Sequence, residues 1–337
     1  MPDVPTDTLT DLARRVLTRA GALADEAATV ARLTVAADLA GHPSHGVAMI
    51  PGYVRQLADG EIRPGAPFEV IRDSPTTTVV DGHGGFGFVV TERAMSITID
   101  KARAVGMAAT TVRGQSHVGR LAAYPLQAAR QGLIAVAMAS GRGGKWVVPF
   151  GGRDPRLGTN PVSVAVPSAL DGMFAFDMAT SAVAGGLVRD AQRANEPIPE
   201  GWIVDADGRA TTDPHELDRG GALVPFGGPQ AHKGYALSAT VEALANVLAG
   251  IGFGRADAPH GNGCFLACFD VATFCDPDAF AEEMAGFAAS LTSSRPALDG
   301  GQVLYPGEQA ARHEARQRRD GIAVDPATLA DLEHLAG

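Results

Sequence analysis

Basic clusters, paired cysteines and long apolar runs are all missing from this 337-residue chain. Only 28 Lys and Arg stand against 38 Asp and Glu, for a net charge of -10 at pH 7. With no basic cluster, that balance argues against nucleic acid and anionic membrane surfaces as partners and leaves a small molecule as the expected ligand. No apolar run reaches the roughly eighteen residues that a membrane helix needs. The start, with Pro2, Asp3, Pro5 and Asp7, lacks the basic and apolar regions of a signal peptide. The cytoplasm is therefore the expected compartment. Three cysteines, Cys264, Cys268 and Cys275, make an odd count. The first two lie in an apolar, strand-like run, so buried free thiols are expected in place of a disulfide or a zinc site. Neither H-E-x-x-H nor a helical H-x-x-x-H occurs, which weighs against a metal-dependent hydrolase built on His42, His45 and His117. No repeat or low-complexity segment appears.

Hydrophobic residues make up 45% of the chain, enough for one large core or two modest ones. Residues 6–60 read as helices and 64–75 as a proline-bearing connection. Strands and helices then alternate: strand 77–80, helix 89–105, strand 107–112, helix 121–131 with a kink expected at Pro125, and strand 134–139. Further strands are expected at 162–166, 173–176, 202–204 and 264–269, and a helix at 233–248. Asp205 to Gly208 reads as a turn. Asp276-Pro277 and Asp325-Pro326 each supply an N-cap with proline behind it, predicting helices at 278–291 and 327–335. The pattern is α/β.

The most informative stretch is Leu39-Ala-Gly-His-Pro-Ser-His-Gly-Val47. It ends one helix, expected over 25–39 with Asp25 as its cap, and starts another. Gly41 suits the left-handed position after a helix and Pro43 forbids continuation. Val47, Ile50, Tyr53 and Val54 then share a face, so Ser44 is expected as N-cap with His45 in the first turn. There the helix dipole favours a neutral imidazole, suited to moving a proton. The alternative is a capping serine beside a surface histidine.

Gly82-His-Gly-Gly-Phe-Gly87 fits G-x-G-x-x-G between a strand and a helix. The next strand, however, ends in Val112-Arg-Gly114 and offers no acidic ribose partner. Arg113 could meet a 2′-phosphate, but a tight turn with close packing is the favoured reading. Four other small-residue junctions carry more weight together: Gln115-Ser-His-Val-Gly-Arg120, Pro149 through Pro161, Phe176-Asp-Met-Ala-Thr-Ser181, and His232-Lys-Gly-Tyr235. Small residues there let backbone amides approach a phosphate or carboxylate, while His117, Arg120, Asp177, His232 and Lys233 supply polar handles.

In this order and spacing, from Leu39 through His232-Lys-Gly-Tyr to Leu304-Tyr-Pro-Gly-Glu308, the chain resembles the malate/L-lactate dehydrogenase family of NAD(P)-dependent 2-oxoacid reductases. Within it the chain is most similar to the hydroxycarboxylate dehydrogenases. The resemblance implies a non-Rossmann α/β fold with helices from both termini packed together. Residues 1–75 would form a helical region packing with 295–337, and 76–294 the α/β region that binds cofactor and substrate. It also implies NAD or NADP as cofactor and a homodimer.

Carried over by position, His45 matches the family's proton donor and a cofactor contact. Gly119, Arg120 and Leu121 match one cofactor loop, and Ala175, Phe176, Asp177, Met178 and Ala179 another. His232, Lys233, Asn262, Gly307, Glu308 and Gln309 complete the cofactor set. Asp177 is also a candidate catalytic residue, orienting or charge-stabilising a histidine. Ser44, Met49, His117, Arg120 and Arg142 are the substrate candidates. Met49 stands where many members have arginine, so a carboxylate clamp at that position is missing, and the loop from Ser140 to Trp146 lacks the usual asparagine. The implied reaction is hydride transfer between nicotinamide and C2 of a 2-oxo or 2-hydroxy acid, with His45 as acid and base. The alternative is a carboxylate- or nucleotide-binding protein without catalysis.

Overall fold

The computed structural model describes residues 1–141, 145–170, 172–252, 261–298 and 300–337. The chain opens with β1 (Asp3–Val4), α1 (Thr6–Arg19), α2 (Ala24–Leu39) and α3 (Ile50–Ala58). There follow β2 (Glu69–Asp73), β3 (Thr77–Gly85), α4 (Gly87–Val105), β4 (Met107–Gln115), α5 (Ala123–Ala129), β5 (Leu133–Gly141), β6 (Val162–Val166) and β7 (Phe174–Met178). A smaller section holds α6 (Gly185–Ala194), β8 (Ile203–Val204), β9 (Ala210–Thr211) and β10 (Ala222–Leu223). The last part comprises α7 (His232–Val241), β11 (Asn262–Asp270), α8 (Pro277–Thr292), α9 (Glu308–Asp320), β12 (Ile322–Ala323) and α10 (Pro326–Ala336).

Seven strands form a mixed sheet in the order β2-β3-β4-β11-β5-β6-β7. Among the described residues of this sheet only β3 and β4 run parallel; the other neighbours are antiparallel. α4 makes the parallel crossover and buries Val90, Ala94, Met95, Ile99 and Ala102, a helical stripe, in the main core. β11 arrives late in sequence yet fills the centre. Its Asn262 lies opposite Gln115 of β4 and Gly141 of β5, so the end of β4, the end of β5 and the start of β11 share one edge of the sheet. The end of β7 joins that edge, because Met178 faces Val162 and Val162 faces Met138. Site residues gather there.

At the termini, β1 pairs with β12, and Leu9, Leu12, Val16 and Leu332 belong to the same apolar core. The section β8–β10 forms its own three-stranded sheet over a separate core of Val147, Leu157, Val188, Ile203 and Leu223. Among the described residues no helix is long and apolar enough to cross a membrane. Cys264 and Cys268 are buried free thiols and Cys275 is exposed.

Several expectations are corrected. α2 is not capped by Asp25: the Glu26 carboxylate reaches back to the Leu23 amide at 3.0 Å, and Asp25 lies inside the first turn. The connection 64–75 contains the edge strand β2, and two helices, α6 and α9, were not expected. Pro125 does not kink a helix, because α5 begins only at Ala123 and the proline falls in the first turn, where its missing N–H costs nothing. The helix expected over 233–248 is α-helical only to Val241 and continues as a π-helix over Glu242–Val247.

The glycine motif 82–87 serves packing. Gly82, Gly84 and Gly85 belong to β3, and a Cβ on Gly87 would fall on the carbonyl oxygens of Ser116 and His117. The Asp81 carboxylate takes the Arg113 guanidinium at 2.8 Å and the His83 amide at 2.9 Å. Arg113 is thus already engaged.

Candidate functional site

The histidine turn begins where α2 stops. Gly41, at φ 81°, donates to the Asp38 carbonyl and His42 to the Ala37 carbonyl, the paired bonds of a Schellman ending. Two 3-10 turns follow, Pro43–His45 and Val47–Met49, before α3 starts at Ile50. Ser44 is therefore not an N-cap, and His45 does not open an α-helix. The extended backbone at Gly46 (φ -86°, ψ -157°) interrupts the turn, and Pro51 belongs in the first turn of α3. The Ser44 hydroxyl instead pairs with His45 Nδ1 at 3.1 Å.

Burial, followed by the Arg120 charge, pushes the His45 pKa below its ordinary value, while the nearby Asp177 carboxylate opposes the shift. The ring is neutral at pH 7, as expected, but desolvation is the cause in place of a helix dipole. His117 stacks beside it, ring centroids 5.8 Å apart, and burial takes its pKa down to about 4. The Tyr53 hydroxyl lies 2.8 Å from His117 Nδ1 and the Gly119 amide 3.4 Å from the same atom. Gly119 sits at φ 68° with the Phe88 ring where its Cβ would be, so no other residue fits this approach.

Asp177, on β7, is held at the start of α5: its Oδ2 accepts from the Ala122 amide at 2.8 Å. Burial raises its pKa, with the Ala122 bond, Arg120 and His45 opposing. Arg120 lies half-buried beside it, and its buried Nε has no hydrogen-bond partner among the described residues. Arg120 and Asp177 line a cleft of about 860 Å³, with Gly41 and His42 on one side and Gly307, Glu308 and Gln309 of the α9 start on another. Ala175 and Phe176 belong to the same wall. The Glu308 carboxylate accepts from the Tyr305 amide at 3.1 Å and pairs with Arg312 at 2.5 Å.

Other candidates stand apart from this wall. Met49 packs, partly buried, against the main core. His232 and Lys233 open α7 and are exposed, His232 meeting Phe150 edge-on at 5.8 Å. Asn262 lies on the sheet edge near Gly141, Leu121 is buried in the main core behind Arg120, and Met178 is exposed at the end of β7, with Ala179 following. Arg142 lies outside the described residues. Among the described residues no group of three possible metal ligands comes together.

Sequence reasoning missed several site residues. His42 lines the cleft, its pKa pushed down to about 4 by burial and the Arg120 charge. Asp38 is buried beneath the turn, and Arg130 lines the cleft at the end of α5. A buried network joins Glu242 to Ser140, Asn160 and Asn246. The only sequence signal for these was an unusual density of polar residues at element ends.

The model of the malate/L-lactate dehydrogenase family matches residues 4–333. The chain is 37% identical to the L-sulfolactate dehydrogenase of Methanothermobacter thermautotrophicus, over 94% of this chain and 91% of that protein. It is 33% identical to the hydroxycarboxylate dehydrogenase B of Escherichia coli K12, over 94% and 89%. The solved malate dehydrogenase of Pyrococcus horikoshii superposes with a TM-score of 0.90 at 31% identity, covering 99% of this chain and 94% of that one. The geometry and these likenesses together place the chain in the malate/L-lactate dehydrogenase family.

Proposed function

We propose that this protein is an NAD(P)-dependent 2-hydroxyacid dehydrogenase, running also as a 2-oxoacid reductase, in which His45 is the general acid and base. One observation carries the reading: Arg120, whose buried Nε lacks a partner among the described residues, and Asp177 line a cleft roomy enough for a dinucleotide, and both act on His45, against which His117 stacks. A half-buried cation with unused donor capacity fits an anionic ligand. We read the mixed sheet, with its single parallel pair among the described strands, and the joined termini as the family's non-Rossmann fold. A cytoplasmic homodimer is part of the same proposal.

The nicotinamide supplies the hydride acceptor or donor when bound. Gly119, Arg120, Leu121, Ala175 through Ala179, Gly307, Glu308 and Gln309 would hold it, with His232, Lys233 and Asn262 completing the set. His45, neutral at pH 7, takes the hydroxyl proton during oxidation and returns it to the nascent alkoxide during reduction. Asp177 stabilises the imidazolium that forms. Arg120 binds the substrate carboxylate, with His117 and Ser44 beside it. Acidification below the ordinary histidine range protonates His45, so oxidation slows and reduction gains.

The test is absorbance at the nicotinamide band with NADH or NADPH and a panel of 2-oxo acids: pyruvate, oxaloacetate, sulfopyruvate, 2-oxoglutarate and phenylpyruvate. Turnover of at least one is expected. Cofactor binding without turnover of any would make this a binding protein. His45→Ala should lower kcat about 100-fold to 10,000-fold with cofactor affinity nearly intact.

A further inference from the structure

Beneath the histidine turn lies a carboxylate that no step above uses. Asp38 is only 7% exposed, near the end of α2. Its Oδ2 accepts from the Val47 amide at 2.8 Å, across nine residues of chain. No ion pair offsets its charge among the described residues, and burial pushes its pKa up to about 7. Leaving a carboxylate in such a place costs stability, and an apolar side chain would fill the space more favourably. The turn is built around it all the same. A Cβ on Gly46 would fall on the Asp38 carboxylate, so the glycine beside His45 exists to admit that group. The Asp38 carbonyl accepts from Gly41 at 2.8 Å and from Gln317 Nε2 at 3.2 Å. Gln317 belongs to α9, whose first residues form the opposite wall of the cleft.

We propose that Asp38 is a positioning residue for the reaction: through the Val47 amide its carboxylate fixes both flanks of the turn, so that the His45 imidazole stands beside Arg120 and Asp177. The proposal rests on the reading of His45 as the acid and base. Both flanks of His45 are then tied to one residue, upstream by the Asp38 carbonyl that closes α2 and downstream by its carboxylate at Val47. His45 sits on the span between them, and misplacing a catalytic group by about 1 Å costs on the order of 100-fold in rate.

Four variants test this. Asp38→Leu keeps the branched heavy-atom shape and removes the acceptor. Val47→Pro removes the donor N–H at the first position of a 3-10 turn, a position open to proline, and its ring Cδ forces the Asp38 carboxylate away. Asp38→Asn keeps an oxygen that accepts from Val47. His45→Ala is the reference. Asp38→Leu and Val47→Pro are expected to fold, to lose about tenfold to 100-fold in kcat, and to keep the cofactor KM within about threefold. Asp38→Asn should recover most of the turnover lost in Asp38→Leu, which a merely space-filling role does not predict. Parent-like kcat in a folded Asp38→Leu overturns the proposal while leaving the function intact. So does an Asp38→Asn variant as slow as Asp38→Leu. If Asp38→Leu fails to fold, Val47→Pro decides, and failure of both makes the bond a folding contact and removes the positioning role. Turnover retained by His45→Ala overturns the functional reading and this proposal with it.

Discussion

His117 carries its proton on Nε2. An amide N–H only donates, so the Gly119 amide and the Tyr53 hydroxyl both donate to Nδ1, and burial keeps the ring neutral. Tyr53 is itself buried, and burial raises its pKa, so the hydroxyl keeps its proton and remains a donor across the working range. The Nε2–H is then a fixed donor beside His45, suited to a substrate oxygen. Tyr53→Phe removes the stronger of the two anchors with little change of volume. The expected result is a kcat/KM for the acid about five- to tenfold lower, the worth of one hydrogen bond, with cofactor Kd unchanged. Isothermal titration with cofactor and steady-state rates with acid separate the two, and unchanged rates would remove His117 from the substrate's neighbourhood. At this scale the sequence singled out His45, His117, Arg120 and Asp177 as candidates because they are polar groups at small-residue junctions. It did not show Tyr53 as their partner, because 64 residues of chain separate it from His117 and the pairing exists only after β4 lies beside the first helices.

Among the elements, α4 and the end of β4 are joined where tolerance is smallest. Gly87 starts the helix against the carbonyl oxygens of Ser116 and His117, and the Gly87 amide donates to the Ser116 hydroxyl at 2.9 Å. A methyl group there must push the β4 end away, and that end carries His117, Gly119 and Arg120. Gly87→Ala should therefore lower kcat and the melting temperature together, with a stability loss of about 1 to 3 kcal/mol from overpacking. Gly84→Ala is the control: its left-handed φ of 87° is strained, but its nearest neighbour is the flexible Arg63 side chain, so it should cost stability with little effect on cofactor binding. If Gly84→Ala folds normally and loses cofactor affinity, 82–87 is a nucleotide loop after all. Element scale is also where the sequence was most legible. The strands at 107–112, 134–139 and 162–166 and the helices after Asp276 and Asp325 lie where periodicity and caps put them. α9 was not legible: with four arginines in thirteen residues and no buried side chain, it offers no apolar stripe to read. The short turns around His45 escaped for another reason, since the glycine that ends the first one is required by Asp38, a contact no local pattern encodes.

For the molecule as a whole, burying so many titratable groups in one place ties global stability to pH, and the signs differ. The His42 and His117 pKa values fall from the ordinary 6.5 to about 4, so proton uptake favours the unfolded chain. Their contribution is present above pH 6.5 and lost as pH falls towards 4. Asp38 moves the other way, from 3.8 to about 7, so its contribution is present below 3.8 and lost as pH rises through 7. Asp177 is raised and His45 lowered, so their contributions carry opposite signs. Between pH 4 and 6.5 two histidines act against one aspartate, and these groups place the stability maximum near neutral pH. His42→Gln isolates one share of this balance. His42 has no side-chain hydrogen bond to another described residue, so glutamine removes a titration and little else. Relative to the parent, the variant should gain stability as pH falls from 6.5 to 4.5, on the order of 2 kcal/mol. Urea midpoints of both proteins at the two pH values measure it. A parent-to-variant difference that is equal at both would mean that His42 titrates as it does in water, and that the cleft is wetter than its lining implies.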